Sequence, residues 1–111
     1  MNIYSNKNKE LLFTRGQLVT GFFARAKGLL FRDSIELDEA MIFEKCKSVH
    51  TIGMRFSIDL VFLDKNKTVL KVVEHLKPYR IAGCSRAKYV LEAKSGSCLN
   101  RGILVDDKLQ F

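Results

Sequence analysis

The alternation of apolar and polar residues is clearest in the middle of the chain. Residues 57–63 and 68–74 are rich in β-formers, and the polar segment 64–67 between them is typical of a hairpin turn. The first of these strands has two sides, with Ile58, Leu60 and Phe62 on one and Asp59, Val61 and Leu63 on the other. The Lys77-Pro78 pair ends the pattern, because proline cannot donate to a strand ladder.

Shorter apolar segments predict further strands. These segments are residues 3–4, 9–13, 17–20, 40–43, 88–93 and 109–111. The residues between the second and third segments are Thr14, Arg15 and Gly16, and a glycine there predicts that the two segments form a hairpin.

The period of the pattern changes after Thr20. Apolar residues then recur at helical spacing, namely at Phe22, Phe23, Ala26, Leu29 and Leu30. We therefore predict one main short helix in this segment. The helix and the strands together predict a β-rich α+β fold. We expect a single compact domain over residues 1–111 that contains a barrel-like or strongly twisted, mostly antiparallel sheet.

Charge is the first feature that bears on function. Nineteen Lys and Arg residues against twelve Asp and Glu residues give a net charge of +7. The densest basic region lies in the second half of the chain, and its anion-binding candidates are Lys77, Arg80, Arg86, Lys88, Lys94 and Arg101. Tyr79 and Tyr89 are the only aromatic residues there, so no RNA-recognition motif accompanies the charge. Solubility alone explains a net charge of this size, and we rank nucleic-acid binding below that explanation.

The cysteines and the N-terminal residues predict a cytoplasmic protein with free thiols. The chain has three well-separated cysteines and no CxxC pair, and it starts without the apolar run of a signal peptide. Cys46 and His50 form a C-x3-H spacing, but a zinc site needs three or four protein ligands. We predict neither a metal site nor a cofactor, and no membrane insertion.

Asp59 stands out because its neighbours along the chain are apolar. A carboxylate in a dry interior is costly unless a cation or several backbone N–H groups meet it. A structural role predicts an ion pair with Arg25, Arg32 or Arg55. A functional role predicts a catalytic or ligand-orienting acid that acts with His50. The structural role is favoured, because structural ion pairs perturb carboxylates as active sites do.

Two hypotheses for function arise from the polar residues that lie among apolar neighbours. The first is a non-enzymatic binding or accessory module with a small polar-lined pocket, whose ligand-binding candidates are Arg25, Arg32, His50, Thr51, Arg55 and Asp59. Its partner would be a small ligand or a protein. The second is a small hydrolase or lyase that uses His50 and Asp59 as base and orienter. The absence of a catalytic signature such as GxSxG or HExxH favours the first hypothesis.

An ordered series of motifs resembles the family called domain of unknown function 192. The series is Arg25-x-x-Gly28-Leu29-Leu30-x-Arg32, Met41-x-Phe43, His50-Thr51-x-Gly53-Met54-Arg55-Phe56, residues 58–64, Val69, Pro78 and Tyr89-Val90-Leu91-Glu92. This chain departs from the family pattern at Ser57, where proline is usual, at Asp106, where glycine is usual, and at Leu30, where methionine is common. The resemblance implies a compact, β-rich domain with one helix, and it implies no reaction.

Overall fold

The computed structural model describes residues 1–20, 29 and 32–111. Within these residues the chain forms β1 (Ile3–Ser5), β2 (Leu11–Phe13), β3 (Arg15–Val19), β4 (Glu39–Glu44), β5 (Ser48–His50), β6 (Ile58–Leu63), β7 (Val69–Leu76), β8 (Ile81–Gly83), β9 (Tyr89–Lys94), the short helix α1 (Ser97–Asn100) and β10 (Leu109–Gln110). The predicted β-rich fold is confirmed. The described strands form three open, mostly antiparallel sheets rather than a closed barrel.

The largest sheet has five strands in the order β3-β4-β9-β6-β7. The β3–β4 pair is parallel, and the other pairs are antiparallel. All six residues of β6 are buried, because β6 lies inside the sheet and both of its faces are covered. The predicted alternation along this strand is confirmed, since Leu60 and Phe62 pack into one core while Val61 and Leu63 pack into another.

These two cores define the two faces of the sheet. The first face carries Val61 and Leu63 and is covered by the three-stranded sheet β10-β1-β2 and the residues around α1. The second face carries Leu60 and Phe62, and it packs against Leu29, Ile35, Met54 and the small sheet formed by β5 and β8. A long strand can therefore bury every side chain when each face meets its own layer.

The predicted hairpin over residues 9–13 and 17–20 is wrong. The strands β2 and β3 both form, but β2 pairs with β1 in one sheet while β3 pairs with β4 in another. Gly16 does not form a turn. It allows the backbone of β3 to pass close to the Ile3 side chain, because a Cβ atom there would lie 2.7 Å from Cδ1 of Ile3. The Gly16 amide also donates to the Met1 carbonyl at 2.8 Å. The glycine therefore marks the point where the chain passes from one sheet to the next.

The other predicted strands are found close to their expected positions. The hairpin of β6 and β7 is confirmed, and so are the strands at β1, β4, β9 and β10. The sequence pattern missed β5 and β8, which are three residues each. The helix predicted over Phe22 to Leu30 lies outside the described residues, apart from the isolated Leu29.

Candidate functional site

The ribbon, which we define as the pair β5 and β8, brings together two segments that are distant in the sequence. Its strands pair antiparallel, with Val49 opposite Ala82 and His50 opposite Ile81. Val49 and Ala82 face inward and pack against the core of the second face. His50 and Ile81 face outward and are exposed. The ribbon therefore has one side fixed to the core and one side open to solvent.

Thr51 fastens one end of the ribbon. Its side chain is fully buried, and its hydroxyl donates to the Lys77 carbonyl at 2.7 Å. The same hydroxyl accepts the Arg80 amide at 2.9 Å, and the Thr51 amide donates to the Arg80 carbonyl at 2.8 Å. Thr51 was predicted as a ligand-binding residue, but its hydroxyl is used within the protein. It positions the loop before β8.

The net charge of the protein lies entirely around the ribbon. Residues 45–57 and 77–88, which we call the basic surface, contain seven Lys and Arg residues and no Asp or Glu. The remainder of the chain carries twelve residues of each sign, so it is neutral as a whole. The seven cationic side chains are all exposed, and they are Lys45, Lys47, Arg55, Lys77, Arg80, Arg86 and Lys88. Two stretches of sequence that each lack acidic residues therefore combine into one strongly cationic region.

Backbone hydrogen bonds hold the two segments of the basic surface side by side. The Cys84 amide donates to the Lys47 carbonyl at 2.9 Å, and the Cys46 amide donates to the Lys88 carbonyl at 3.3 Å. Arg55 forms an ion pair with Asp33 at 2.7 Å. Among the described residues, none of the other six cations in this surface forms an ion pair with a carboxylate. The positive charge is thus largely uncompensated within the described part of the chain.

Two of the predicted anion-binding residues lie apart from this surface. Lys94 and Lys88 flank β9 at opposite ends, which are about 20 Å apart at roughly 3.4 Å per residue. Arg101 donates to the carbonyls of Leu12 and Leu37, each at 2.5 Å, and its guanidinium lies 4.8 Å from the centre of the Phe13 ring. Arg101 therefore joins neighbouring segments of the fold rather than extending the basic surface.

Asp59 is fully buried on the first face, and backbone N–H groups surround it. One carboxylate oxygen accepts the His75 amide at 2.9 Å, and the other accepts the amides of Gly96 at 3.1 Å and Cys98 at 2.9 Å. The expected ion pair with Arg32 or Arg55 is not formed, because Arg32 pairs with Glu39 at 2.9 Å and Arg55 pairs with Asp33. Arg25 lies outside the described residues.

The groups around Asp59 belong to a bulge and to the start of α1. His75 interrupts the pairing of β6 and β7 with a positive φ of 54°, and its ring is hydrogen-bonded to the Ser95 hydroxyl. Burial, reinforced by the negative charge of Asp59, raises the pKa of the Cys98 thiol. Cys98 is therefore a neutral, unreactive thiol at physiological pH.

The structure does not bring His50 and Asp59 together. His50 is exposed on the ribbon opposite Ile81, whereas the Asp59 carboxylate is 0% exposed and is bonded to the amides at His75, Gly96 and Cys98. A base and an orienting acid must meet through hydrogen bonds around one reacting group. The predicted pair therefore has no shared site.

Glu92 is a buried carboxylate that the sequence analysis did not single out. It lies on β9, in register with Met41 of β4 and Leu60 of β6, so its side chain belongs to the second face. It is 5% exposed, and this burial raises the pKa of Glu92 to about 7. The signal available in the sequence was its place in a strand whose alternate residues are apolar.

A small pocket with room for about one water molecule, partly open to solvent, lies at the first-face end of the fold. Its lining includes Ser5, Lys7, Arg101 and Asp107, and none of the six predicted ligand-binding residues lines it. Lys7 and Asp107 form an ion pair at 3.2 Å across this region. Within the described residues, no group of three or more His, Cys, Asp or Glu side chains could hold a metal ion. No helix in the described part of the chain is long and apolar enough to cross a membrane.

The fold is similar to two crystal structures. One is a protein of unknown function from Novosphingobium aromaticivorans, with a TM-score of 0.85 and 22% identity over 99% of this chain and 82% of that one. The other is from Sinorhizobium meliloti and is described as a candidate transcription regulator, with a TM-score of 0.84 and 20% identity over 98% of this chain and 89% of that one. At this level of identity the likeness concerns the fold alone.

Sequence comparison identifies the family. A UPF0127 protein from Pyrococcus abyssi is 30% identical over 119 residues, which cover 100% of this chain and 98% of the relative. A second UPF0127 protein, from Pyrococcus furiosus, is 38% identical over 65 residues, which cover 58% of this chain and 55% of the relative. The model of DUF192, described as "Uncharacterized ACR", matches residues 4–111. The chain therefore belongs to the DUF192 family of uncharacterised proteins.

Proposed function

We propose that this protein is a non-enzymatic binding module that recognises an anionic partner through its basic surface. The observation that carries the proposal is the location of the net charge, because +7 resides in residues 45–57 and 77–88 while the remainder is neutral. A solubilising excess of charge needs no such concentration. A positive electrostatic potential over one region of the surface raises the local concentration of anionic partners and speeds their association.

The surface is also held in one arrangement before any partner binds. Thr51 ties the loop at one end of the ribbon, and the inward residues Val49 and Ala82 pack on the core. A preformed surface loses little conformational entropy on binding, which favours affinity. Of the residues first considered for a small pocket, His50 and Arg55 belong to this surface, and Thr51 supports it.

A nucleic acid is one anionic partner that fits this proposal. The Sinorhizobium meliloti relative is described as a candidate transcription regulator, and its fold is similar to this one. Exposed Tyr79 next to Arg80 is the aromatic and cationic pair that single strands use for stacking. The charge alone does not select between nucleic acid and other polyanions, so the first test concerns the charge.

Heparin chromatography tests the proposal with a simple polyanion. We expect the wild-type protein to be retained at low salt, because a patch of uncompensated cations releases counterions when it binds a polyanion. The triple variant Lys47→Glu, Arg80→Glu, Lys88→Glu should elute at a much lower salt concentration. The matched control is Lys9→Glu, Lys65→Glu, Lys108→Glu, which makes the same change in net charge at exposed positions outside the surface.

The control separates a localised surface from net charge. We expect the control variant to elute near the wild type, with both variants showing wild-type thermal melting. Equal shifts for the two variants would show that only net charge matters, and the proposal would then be wrong. Failure of the wild-type protein to bind heparin at low salt would have the same meaning.

A further inference from the structure

Three apolar side chains project from the end of the ribbon that Thr51 fastens. Ile52 is 52% exposed, Tyr79 is 67% exposed and Ile81 is 74% exposed. The Tyr79 amide donates to the Thr51 carbonyl at 3.1 Å, and Arg80, between Tyr79 and Ile81, exchanges hydrogen bonds with Thr51. The three side chains therefore come from adjacent backbone positions. We call Ile52, Tyr79 and Ile81 the apolar tip.

Cationic side chains lie beside the apolar tip and at the far end of the ribbon. Lys77 and Arg80 belong to the same loop as the tip, and the Arg80 guanidinium donates to the Tyr79 carbonyl at 3.3 Å. Lys47 lies beside the far end of the ribbon, next to the Ser48–Gly83 pair. An apolar tip with a cationic flank is a combination that a simple polyanion does not require.

The chemistry of the tip distinguishes between classes of partner. A phosphate backbone offers no apolar surface to two isoleucines, and aliphatic side chains cannot stack on bases as aromatic ones do. A protein partner is less favoured, because lysine is depleted at protein interfaces and four of the seven cations of the basic surface are lysines. A bilayer interface supplies both components, namely anionic headgroups for the lysines and an acyl boundary for the isoleucines.

We infer that the basic surface docks on an anionic lipid bilayer, with the apolar tip seated at the level of the headgroups. This inference rests on the proposed function and names its partner. Tyrosine suits that depth, because its ring is apolar while its hydroxyl remains hydrated. The number of cations in the surface matches the four to eight that are typical of polybasic lipid-binding clusters. The docking is peripheral and leaves the fold outside the bilayer.

Vesicle sedimentation with the full chain tests the inference. We expect the protein to sediment with vesicles of phosphatidylcholine and phosphatidylglycerol, and not with vesicles of phosphatidylcholine alone. The tip variant Ile52→Ser, Tyr79→Asn, Ile81→Ser keeps every cation, and we expect it to bind the mixed vesicles about tenfold more weakly. Its elution from heparin should match the wild type.

A matched control comes from a second group of exposed apolar side chains. The variant Leu99→Ser, Leu104→Ser, Val105→Ser changes residues that are 75%, 61% and 52% exposed and lie outside the basic surface. We expect its vesicle binding to equal that of the wild type. The single variant Ile81→Ser, at the most exposed position of the tip, provides a milder test in which circular dichroism should show an unchanged fold.

The outcomes separate this inference from the proposed function. Retention on heparin without binding to mixed vesicles would overturn the lipid inference and leave the proposed function standing, whereas failure in both assays would overturn both. Equal losses for the tip and control variants would also overturn it. If the tip variant lost affinity for a labelled single-stranded oligonucleotide but kept its affinity for vesicles, Tyr79 would be a base-stacking residue and the partner would be nucleic acid.

Discussion

Two carboxylates on neighbouring strands of the same sheet are buried in contrasting ways. Asp59 lies opposite Ala93 on the first face and receives three backbone N–H groups. Glu92 lies opposite Leu60 on the second face, where burial raises its pKa to about 7. Both side chains are at least nineteen-twentieths hidden from solvent. The comparison teaches that burial alone does not describe the environment of a carboxylate, because two equally buried carboxylates can differ in the backbone donors that surround them.

The largest expected effect follows removal of the Asp59 acceptor. We expect Asp59→Ala to lower the free energy of unfolding by about 3–5 kcal/mol, because three backbone N–H groups, one fully buried and two partly buried, lose their acceptor. Asp59→Asn should also be strongly destabilising, since its NH₂ group must face at least one of those donors. Urea denaturation measures both. A loss within about 0.5 kcal/mol, the range of surface substitutions, would remove the distinction between the two carboxylates.

The second prediction concerns the protonation of Glu92. Its pKa in the folded protein is about 7 against an ordinary 4.5, so the folded state binds more protons than the unfolded state between these values. The Glu92 contribution to the free energy of unfolding should therefore fall as pH rises from about 4.5 to about 7, by about 3 kcal/mol in total, and stay constant above that. Denaturation at several pH values measures this contribution as the difference between wild type and Glu92→Gln.

The variant Glu92→Gln sharpens the same point, because glutamine resembles the protonated acid. We expect it to be more stable than the wild type by about 2–3 kcal/mol at pH 8 and close to it at pH 4.5. A variant that is less stable than the wild type at pH 8 would mean that the ionised Glu92 carboxylate is stabilised in the fold, and the contrast with Asp59 would fail.

The smallest expected effect tests whether Asp59 is held by backbone or by side chains. We expect His75→Asn to change the free energy of unfolding by less than about 1 kcal/mol, because asparagine keeps the amide that Asp59 accepts and tolerates the positive φ of 54°. Among the residues that the structure describes, the exposed contact between the imidazole and the Ser95 hydroxyl is the side-chain hydrogen bond that this change should remove. Thermal unfolding measures the change in the free energy of unfolding. A loss comparable to that of Asp59→Ala would mean that the imidazole, and not only the backbone amide, stabilises the surroundings of Asp59.

The sequence was informative where structure depends on neighbours along the chain. The alternation of β6 predicted both faces of the strand, because a period of two is a local property of extended backbone. Gly16 misled the hairpin prediction, since its small size serves contact with Ile3, thirteen positions away in the chain. The need of Asp59 for partners could be predicted, but its donors lie 16, 37 and 39 residues away and belong to the backbone.

The candidate site also depends on contacts between distant parts of the chain, which the sequence alone does not show. The cationic segment around Arg80 and Arg86 was visible in the sequence, but its union with Lys45 and Lys47 depends on two strands of three residues each. Strands this short have no usable periodicity. Arg101 was grouped with the surface by sequence proximity, and only the fold shows that its guanidinium binds the carbonyls of two other segments.

The remote origin of the Asp59 donors has a consequence for the order in which the chain folds. The Asp59 carboxylate on β6 lacks interior hydrogen-bond donors until His75, Gly96 and Cys98 have reached it, and burying it without them is costly. Two long loops must close first, and closing them costs entropy before any contact is gained. A chain that ends before Gly96 therefore cannot bury β6 without leaving the Asp59 carboxylate short of two of its three hydrogen-bond donors. We therefore expect a chain of this kind to form no stable core around β6.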